Sequence, residues 1–222
     1  MIKAIIFDFD GTLSNRNLNA HIAYTEYLKQ YFPDVEGIEY EAIIQDMITD
    51  DMNGTVNMKY RIAPFKAKYN LSDEFEEKFI KFWDEKMYVY TVLKPDTIDV
   101  LNELKKNYKI GILTNGNSVG QHNKVNKFNF DKLMDAVVVS GDYGIHKPDK
   151  KIFEIACEKI GEKPEDCIYV GDVFSNDIMG SSRAGMTPVW ITADSERPSG
   201  SYTGYRIENL TQLLDVLKKI NN

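Results

Sequence analysis

The chain has 222 residues, 43% of them hydrophobic, with 27 basic side chains against 34 acidic ones and a net charge of −7. This length accommodates one large domain or a core carrying an inserted one, and the dispersed acidic balance offers no basic footprint for nucleic acid and no polybasic arm for an anionic membrane. Cys157 and Cys167 form neither a CxxC pair nor a multi-cysteine framework and read as buried thiols; no stretch approaches the about 18 apolar residues of a membrane span, so a soluble cytoplasmic protein is expected.

The first predicted strand is the apolar run Ile2-Lys3-Ala4-Ile5-Ile6-Phe7, which ends in Asp8-Phe9-Asp10-Gly11-Thr12-Leu13. Residues i and i+2 of a strand share a face, so the two carboxylates look into one crevice. That suits a nucleophile beside a proton shuttle, while Gly11 lets the backbone turn sharply beside a bound group. From residue 16 to about 90 the signals are helical: Leu18, Ile22, Leu28 with Tyr31, then Ile43, Met47 and Ile48 recur at three- and four-residue spacing. Ser72 is expected to cap a helix with Asp73 and Glu74 in its first turn and Phe75, Phe79, Phe82 and Trp83 on one face, the core of a helical bundle. Pro33-Asp34 and Asn53-Gly54 mark turns between its helices.

From Pro95 the pattern changes to alternating helix and strand. A helix through Val100, Leu101 and Leu104 leads to a strand at Tyr108-Lys109-Ile110-Gly111-Ile112-Leu113. A helix near 118–128, the strand Ala136-Val137-Val138-Val139, a helix from Pro148 to Ile160 and the strand Cys167-Ile168-Tyr169-Val170 follow. A helix near 175–184, the strand Pro188-Val189-Trp190-Ile191 and a closing helix at 209–220 complete the set. Short β-rich runs between amphipathic helices predict an α/β fold with a parallel sheet covered on both faces, and such sheets bind ligands outside the carboxyl ends of their strands. Polar groups suited to phosphate chemistry stand at those ends: Asp8 and Asp10, then Thr114-Asn115-Gly116, then Lys147-Pro148 after a Gly-containing loop, then Gly171-Asp172-Val173-Phe174-Ser175-Asn176-Asp177.

Taken together, these four segments resemble the motifs of the haloacid dehalogenase superfamily, in order and at suitable intervals, and specifically its phosphatases with a helical cap inserted after the first motif. Ala184-Gly185 is also similar to the family pattern after the fourth motif. The resemblance covers essentially the whole chain and implies a Rossmann-like catalytic core at 1–15 and 92–222 with an all-α cap at 16–91. Two connections, near 14–17 and 88–95, lead to the expectation that the cap closes during turnover.

A phosphate monoester repels an anionic nucleophile, so a carboxylate attacker needs a divalent cation and positive donors on the transferring group. The expected roles are Asp8 as the nucleophile that forms an aspartyl-phosphate and Asp10 as the acid that protonates the leaving alkoxide and then takes a proton from water. Thr114, Asn115 and Lys147 are expected to hold phosphoryl oxygens, with Thr114 and Lys147 counted among the catalytic groups. Mg²⁺ is the expected metal because hard oxygen ligands suit it and the site lacks a His or Cys cluster. Asp8 and Asp172 would ligate it through carboxylates, with the main-chain oxygen of Asp10 as the resemblance implies, and Asn176 and Asp177 in support. His21, His122 and His146 are scattered without metal-ligand spacing.

The expected activity is hydrolysis of a small phosphorylated metabolite. Thr114-Asn115-Gly116 and the cap size are similar to those of nucleoside 5′-monophosphate phosphatases of the superfamily, which makes a pyrimidine nucleotide the first expectation, with phosphoglycolate and small sugar phosphates beside it. A phosphosugar mutase is the enzymatic alternative. A dehalogenase has no use for a proton-donating acid at position 10, a receiver-type phospho-acceptor needs no cap, and binding-only homologues lose one of the acids. Tyr60, Phe65 and Trp83 are the aromatics available to stack on a base, although core packing is the commoner fate of such residues. A monomer or weak dimer is expected.

Overall fold

The computed structural model describes residues 1–51, 54, 58–192 and 202–221. The chain divides into two compact units, Met1–Asn15 with Leu93–Asn222, and Arg16–Val92.

The first unit is built on a six-stranded parallel sheet in the order β3-β2-β1-β4-β5-β6. Its strands are β1 (Ala4–Phe7), β2 (Lys109–Thr114), β3 (Ala136–Val139), β4 (Cys167–Gly171), β5 (Thr187–Ile191) and β6 (Tyr205–Ile207). Alternation along β1 explains its central place: Ile5 and Phe7 enter one apolar cluster, while Ala4 and Ile6 enter another. Strand β4 does the same, with Ile168 and Val170 on the first face and Cys167 and Tyr169 on the second, so both strands are buried on two sides as a parallel sheet requires. Helices α5 (Thr97–Leu104) and α11 (Leu213–Asn221) supply the first cluster, and α9 (Lys150–Ile160) the second. Both cysteines are buried free thiols.

The register sets Phe7 beside both Ile112 of β2 and Val170 of β4. The strand order reverses direction of growth between β1 and β4, so the Asp8 and Asp172 ends flank the topological switch point where such sheets bind ligands. The loop after β1 is short and closed: Leu13 and Ser14 N–H groups both donate to the Phe9 carbonyl, and Gly11 N–H donates to Ser14 O. Leu13 O accepts from Lys94 N at 2.9 Å and from Thr97 Oγ1 at 3.1 Å, so the chain leaves the sheet and rejoins it at neighbouring points.

The second unit contains only helices among its described residues: α1 (Arg16–Leu28), α2 (Gly37–Asp51), α3 (Met58–Lys68) and α4 (Asp73–Lys86), followed by a 3₁₀ turn at Met87–Tyr90. Its core is aromatic. Phe79 is fully buried and meets the rings of Tyr24, Tyr27, Phe75, Phe82 and Trp83 within 6.2 Å. Trp83 also lies 5.4 Å from the guanidinium carbons of both Arg16 and Arg61, whose charges converge on Asp51. Asn19 Oδ1 accepts from Val92 N at 2.7 Å and ties the end of this unit to its first helix.

Several local readings differ. Ser72 has extended backbone before α4, but its hydroxyl makes no capping bond; Lys66 ion pairs with Asp73 and Glu76 anchor that end instead. Leu18 is exposed and outside the core. Helix α9 begins at Lys150, because Asp149 caps it by accepting from Lys151 N, so Pro148 belongs to the preceding loop. The segment near 175–184 is a π-helical turn at Phe174–Ile178 followed by α10 (Met179–Arg183). The short strand β6, and the one-turn helices α7 (Phe130–Leu133) and α8 (Ser140–Tyr143), had no sequence signal long enough to read. Asn53 of the expected Asn53-Gly54 turn lies outside the described residues.

Phe79→Ala empties the centre of the helical unit and is expected to cost about 3–5 kcal/mol. Each unit holds one of the two tryptophans, Trp83 or Trp190. In a Trp190→Phe background, the Trp83 fluorescence transition in urea should move to clearly lower concentration; an unmoved midpoint would refute this packing.

Candidate active site

Four segments that are far apart in sequence meet at the carboxyl end of the sheet. The centre is the Lys147 ammonium, which donates to Asp8 Oδ1 at 2.8 Å, Asp177 Oδ1 at 2.7 Å and the Tyr169 hydroxyl at 2.9 Å. An ammonium has three donors, and all three are committed. The Lys147 side chain is 3% exposed and that of Asp177 0%, so little water competes for these bonds. Tyr169 in turn donates to the Leu113 carbonyl at 2.9 Å, which fastens the lysine to the floor of the sheet.

Asp172 completes an acidic cluster. One carboxylate oxygen from each of Asp8, Asp172 and Asp177 lies within 4.8 Å of the others. Close backbone approach makes this possible at two glycines. A side chain on Gly11, which has φ +89°, would collide with the Asp172 carboxylate, and one on Gly171 would collide with Asp177. Thr12 Oγ1 donates to Asp172 Oδ1 at 3.1 Å, and the Trp190 indole N–H donates to the Asp172 carbonyl at 2.9 Å.

Three carboxylates face one ammonium, which leaves two negative charges uncompensated when all are ionised. Burial first, and then the Asp177 and Asp10 charges, push the Asp8 carboxyl up to about 6 against the pull of Lys147. Burial and the Asp8 and Asp177 charges likewise hold Asp172 well above the usual carboxylate range. Burial opposes the charge on Lys147, but Asp177 and Asp8 outweigh it and keep the group well above an ordinary lysine. A hard divalent cation fits this all-oxygen donor set and would relieve the charge excess, with Asp8 and Asp172 nearest to the requirement, since Asp177 accepts on both oxygens, from Lys147 Nζ on Oδ1 and from Val173 N on Oδ2.

Asp10, the second acid of the first loop, points its carboxylate elsewhere. Its Oδ2 accepts from Lys124 Nζ at 2.7 Å and Gln121 Nε2 at 3.0 Å, and Ser14 Oγ lies 3.4 Å from Oδ1. Thr114 is buried at the end of β2 and its Oγ1 accepts from Gln121 Nε2 at 3.0 Å. The Asn115 side chain makes a two-way clamp on the third segment, donating to Lys147 O at 3.0 Å and accepting from Lys147 N at 2.9 Å, beside the cis Lys147–Pro148 peptide. Asn176 is partly exposed in the π-helical turn and is not one of the groups that meet at Lys147.

The structure thus brings together Asp8, Lys147, Asp172 and Asp177, sets Asp10, Thr114 and Asn115 beside them, and leaves Asn176 at the margin. Tyr169, Gln121, Lys124 and Trp190 are site-bordering residues that the sequence reading passed over. Tyr169 and Trp190 sit inside apolar strand runs, and Gln121 and Lys124 lie on a helix that is polar nearly throughout, so neither pair stood out in the sequence. Each histidine is locally bonded: His21 to Glu41, His122 to Asp142 and His146 to Ser140. Of the aromatics considered for base stacking, Phe65 is buried, Trp83 is packed in the helical core, and Tyr60 is exposed.

Comparison with known proteins places this geometry in context. Residues 5–191 match the sequence model of a family described as haloacid dehalogenase-like hydrolase. The chain is 28% identical to glyceraldehyde 3-phosphate phosphatase of Pyrococcus furiosus, over 99% of this chain and 95% of that one. It is 30% identical to the pyrimidine 5′-nucleotidase YjjG of Escherichia coli, over 82% of each. In fold it is similar to the HAD-hydrolase YfnB of Bacillus subtilis bound to magnesium, with a TM-score of 0.79 and 21% identity over 97% of this chain and 98% of that one.

Because Asp8 titrates higher in the folded chain than in the unfolded one, its protonated form favours folding. That contribution is complete below about pH 4 and is lost as the pH rises through about 6. With a chelator present, Asp8→Asn is therefore expected to gain stability relative to wild type as the pH rises from about 4.5 to about 7.5, read from denaturant midpoints. A difference that stayed constant or shrank would contradict the burial account of this acid.

Proposed function

The chain belongs to the haloacid dehalogenase-like hydrolase family, and within it we propose a Mg²⁺-dependent phosphate monoester hydrolase that works through an aspartyl-phosphate on Asp8. The observation that carries this reading is the buried Lys147 bridge between Asp8 and Asp177, with Asp172 beside it and Asp10 two residues beyond. The phosphatase and nucleotidase among its relatives support the same reaction class.

In the proposed reaction, Asp8 attacks phosphorus in line. Lys147 fixes the rotation of that carboxylate through its bond to Oδ1 and presents positive charge to the transferring group. Thr114 and the Asn115 backbone N–H hold phosphoryl oxygens. Asp10 gives its proton to the leaving oxygen, then accepts one from the water that opens the acyl phosphate. Bound through Asp8, Asp172 and the Asp10 main-chain oxygen, Mg²⁺ would screen the attacking carboxylate from the phosphate's own charge. Asp177 orients Lys147, and Asn176 borders the loop. We further assign the 16–92 helical unit the part of a cap that selects the leaving group, since the chain inserts it six residues after Asp10.

The substrate is a small phosphorylated metabolite. A nucleoside 5′-monophosphate is the first choice, supported by the 30% identity to the nucleotidase, and a triose phosphate the second, supported by the full-length match to the glyceraldehyde 3-phosphate phosphatase.

The test is phosphate release from nucleoside monophosphates, triose and sugar phosphates, phosphoglycolate and an aryl phosphate, with Mg²⁺ or EDTA. Release should require the metal, fall to background in Asp8→Asn, and fall roughly 10²–10³-fold in Lys147→Met. Release that survives either EDTA or Asp8→Asn would overturn the mechanism.

A further inference from the structure

Helix α6 (Ser118–Lys127) begins immediately after Thr114-Asn115-Gly116, capped by Asn117, whose side chain accepts from Gly120 N at 3.2 Å. Gln121 and Lys124 are one turn apart on this helix and face the same way. Both are buried, at 5% and 7% exposure. A polar amide and an ammonium are expensive occupants of such positions, where apolar residues would extend the packing of Val125.

Their contacts show what the two are turned toward. Lys124 Nζ and Gln121 Nε2 both donate to Asp10 Oδ2, at 2.7 and 3.0 Å. Gln121 Nε2 also lies 3.0 Å from Thr114 Oγ1 and 2.7 Å from Asn115 O. Two of these neighbours, the Asp10 carboxylate and the Asn115 carbonyl, can only accept, which assigns the nitrogen to that side of the amide because the oxygen would be repelled by both. The amide oxygen Oε1 is then buried with no hydrogen-bond partner among the described residues. A side chain of similar length without polar atoms would avoid that orphaned acceptor, so packing alone does not account for glutamine here.

We propose that Lys124 and Gln121 are positioning residues for proton transfer, holding Asp10 by Oδ2 so that Oδ1 presents the proton to the leaving oxygen, with Gln121 also setting the direction of the Thr114 hydroxyl. The inference rests on the hydrolase reading above. With two donors on Oδ2, the proton of the neutral acid resides on Oδ1, the oxygen that Ser14 Oγ approaches at 3.4 Å. In the first step the Asp8–phosphorus bond forms and the bond to the leaving oxygen breaks. The Asp10 Oδ1 proton passes to that oxygen, leaving a carboxylate whose other oxygen stays bonded to the ammonium. In the second step water attacks phosphorus, its proton returns to Asp10, and Asp8 is released. Meanwhile the Gln121 N–H enters Thr114 Oγ1, so the hydroxyl hydrogen points away from the amide; it faces Asn115 O at a long 3.5 Å and turns to a phosphoryl oxygen when one is bound.

Leaving-group chemistry separates this role from a structural ion pair. An alkoxide needs a proton to depart and a nitrophenolate does not, and kcat/KM reports the steps up to that departure. The experiment compares kcat/KM in Mg²⁺ for a primary alkyl phosphate and for 4-nitrophenyl phosphate, using wild type, Lys124→Met, Lys124→Arg and Gln121→Leu, with circular dichroism melts on each. Lys124→Met should lower the alkyl value roughly 100-fold, and by at least about tenfold more than the aryl value. Lys124→Arg should recover most of the loss, and Gln121→Leu should repeat the selectivity on a smaller scale; these two carry the comparison if Lys124→Met does not fold. Equal losses on both esters, or no loss, in an active enzyme would overturn this inference and leave the hydrolase reading intact. A wild type inactive on every ester would overturn both.

Discussion

The arrangement of the whole site depends on one buried ammonium. Lys147 is the positive group that meets the Asp8, Asp172 and Asp177 cluster, and its three donors are spent on Asp8, Asp177 and Tyr169. Removing a charge from water is costly unless it is paired and hydrogen-bonded. Here the cost is offset for the lysine, while the acids are left in excess. That imbalance lifts the Asp8 and Asp172 carboxyls, and it is what a hard divalent cation or a transferring phosphoryl group with its metal would answer.

The sheet makes the imbalance possible. Strands β1 and β4 are neighbours in register, so Asp8 and Asp172 leave the sheet side by side at the switch point. Gly11 and Gly171 then remove the two side chains that would keep the carboxylates apart. Asn115 locks the lysine's own backbone to the end of β2 with a pair of bonds, which makes the position of the charge a property of the fold and not of a free rotamer. Asp10 lies outside this network and is governed by a second cation, Lys124, on α6. Two acids two residues apart are thus bonded to different lysines, Asp8 to Lys147 and Asp10 to Lys124.

Much of this was legible from the chain. Acids, a Thr-Asn-Gly, a Lys-Pro and an Asp-rich loop stand at strand ends, where polar residues have no packing reason to recur, so their joint placement pointed to a site. The parallel core was legible because β1, β2 and β4 are short apolar runs with helices between them. Tyr169 was not, because a tyrosine inside an apolar strand reads as core until its hydroxyl is seen beside Lys147 and Leu113 O. Gln121 and Lys124 were missed because a polar residue on a helix is ordinarily solvated, and only the tertiary fold turns that face inward. Strand β6 has three residues, too few to establish a period, and the start of α9 moved because Asp149 outcompetes Pro148 as the helix boundary.

The central claim is that Asp8 is the group that takes the phosphoryl unit. The direct measurement is a rapid acid quench of enzyme turning over its best ester with Mg²⁺, followed by peptide mass spectrometry. The account predicts a phosphoryl adduct on Asp8 itself, formed and lost at rates consistent with turnover. An adduct on another residue, or turnover with no adduct at any quench time while the method detects an authentic acyl phosphate, would contradict it.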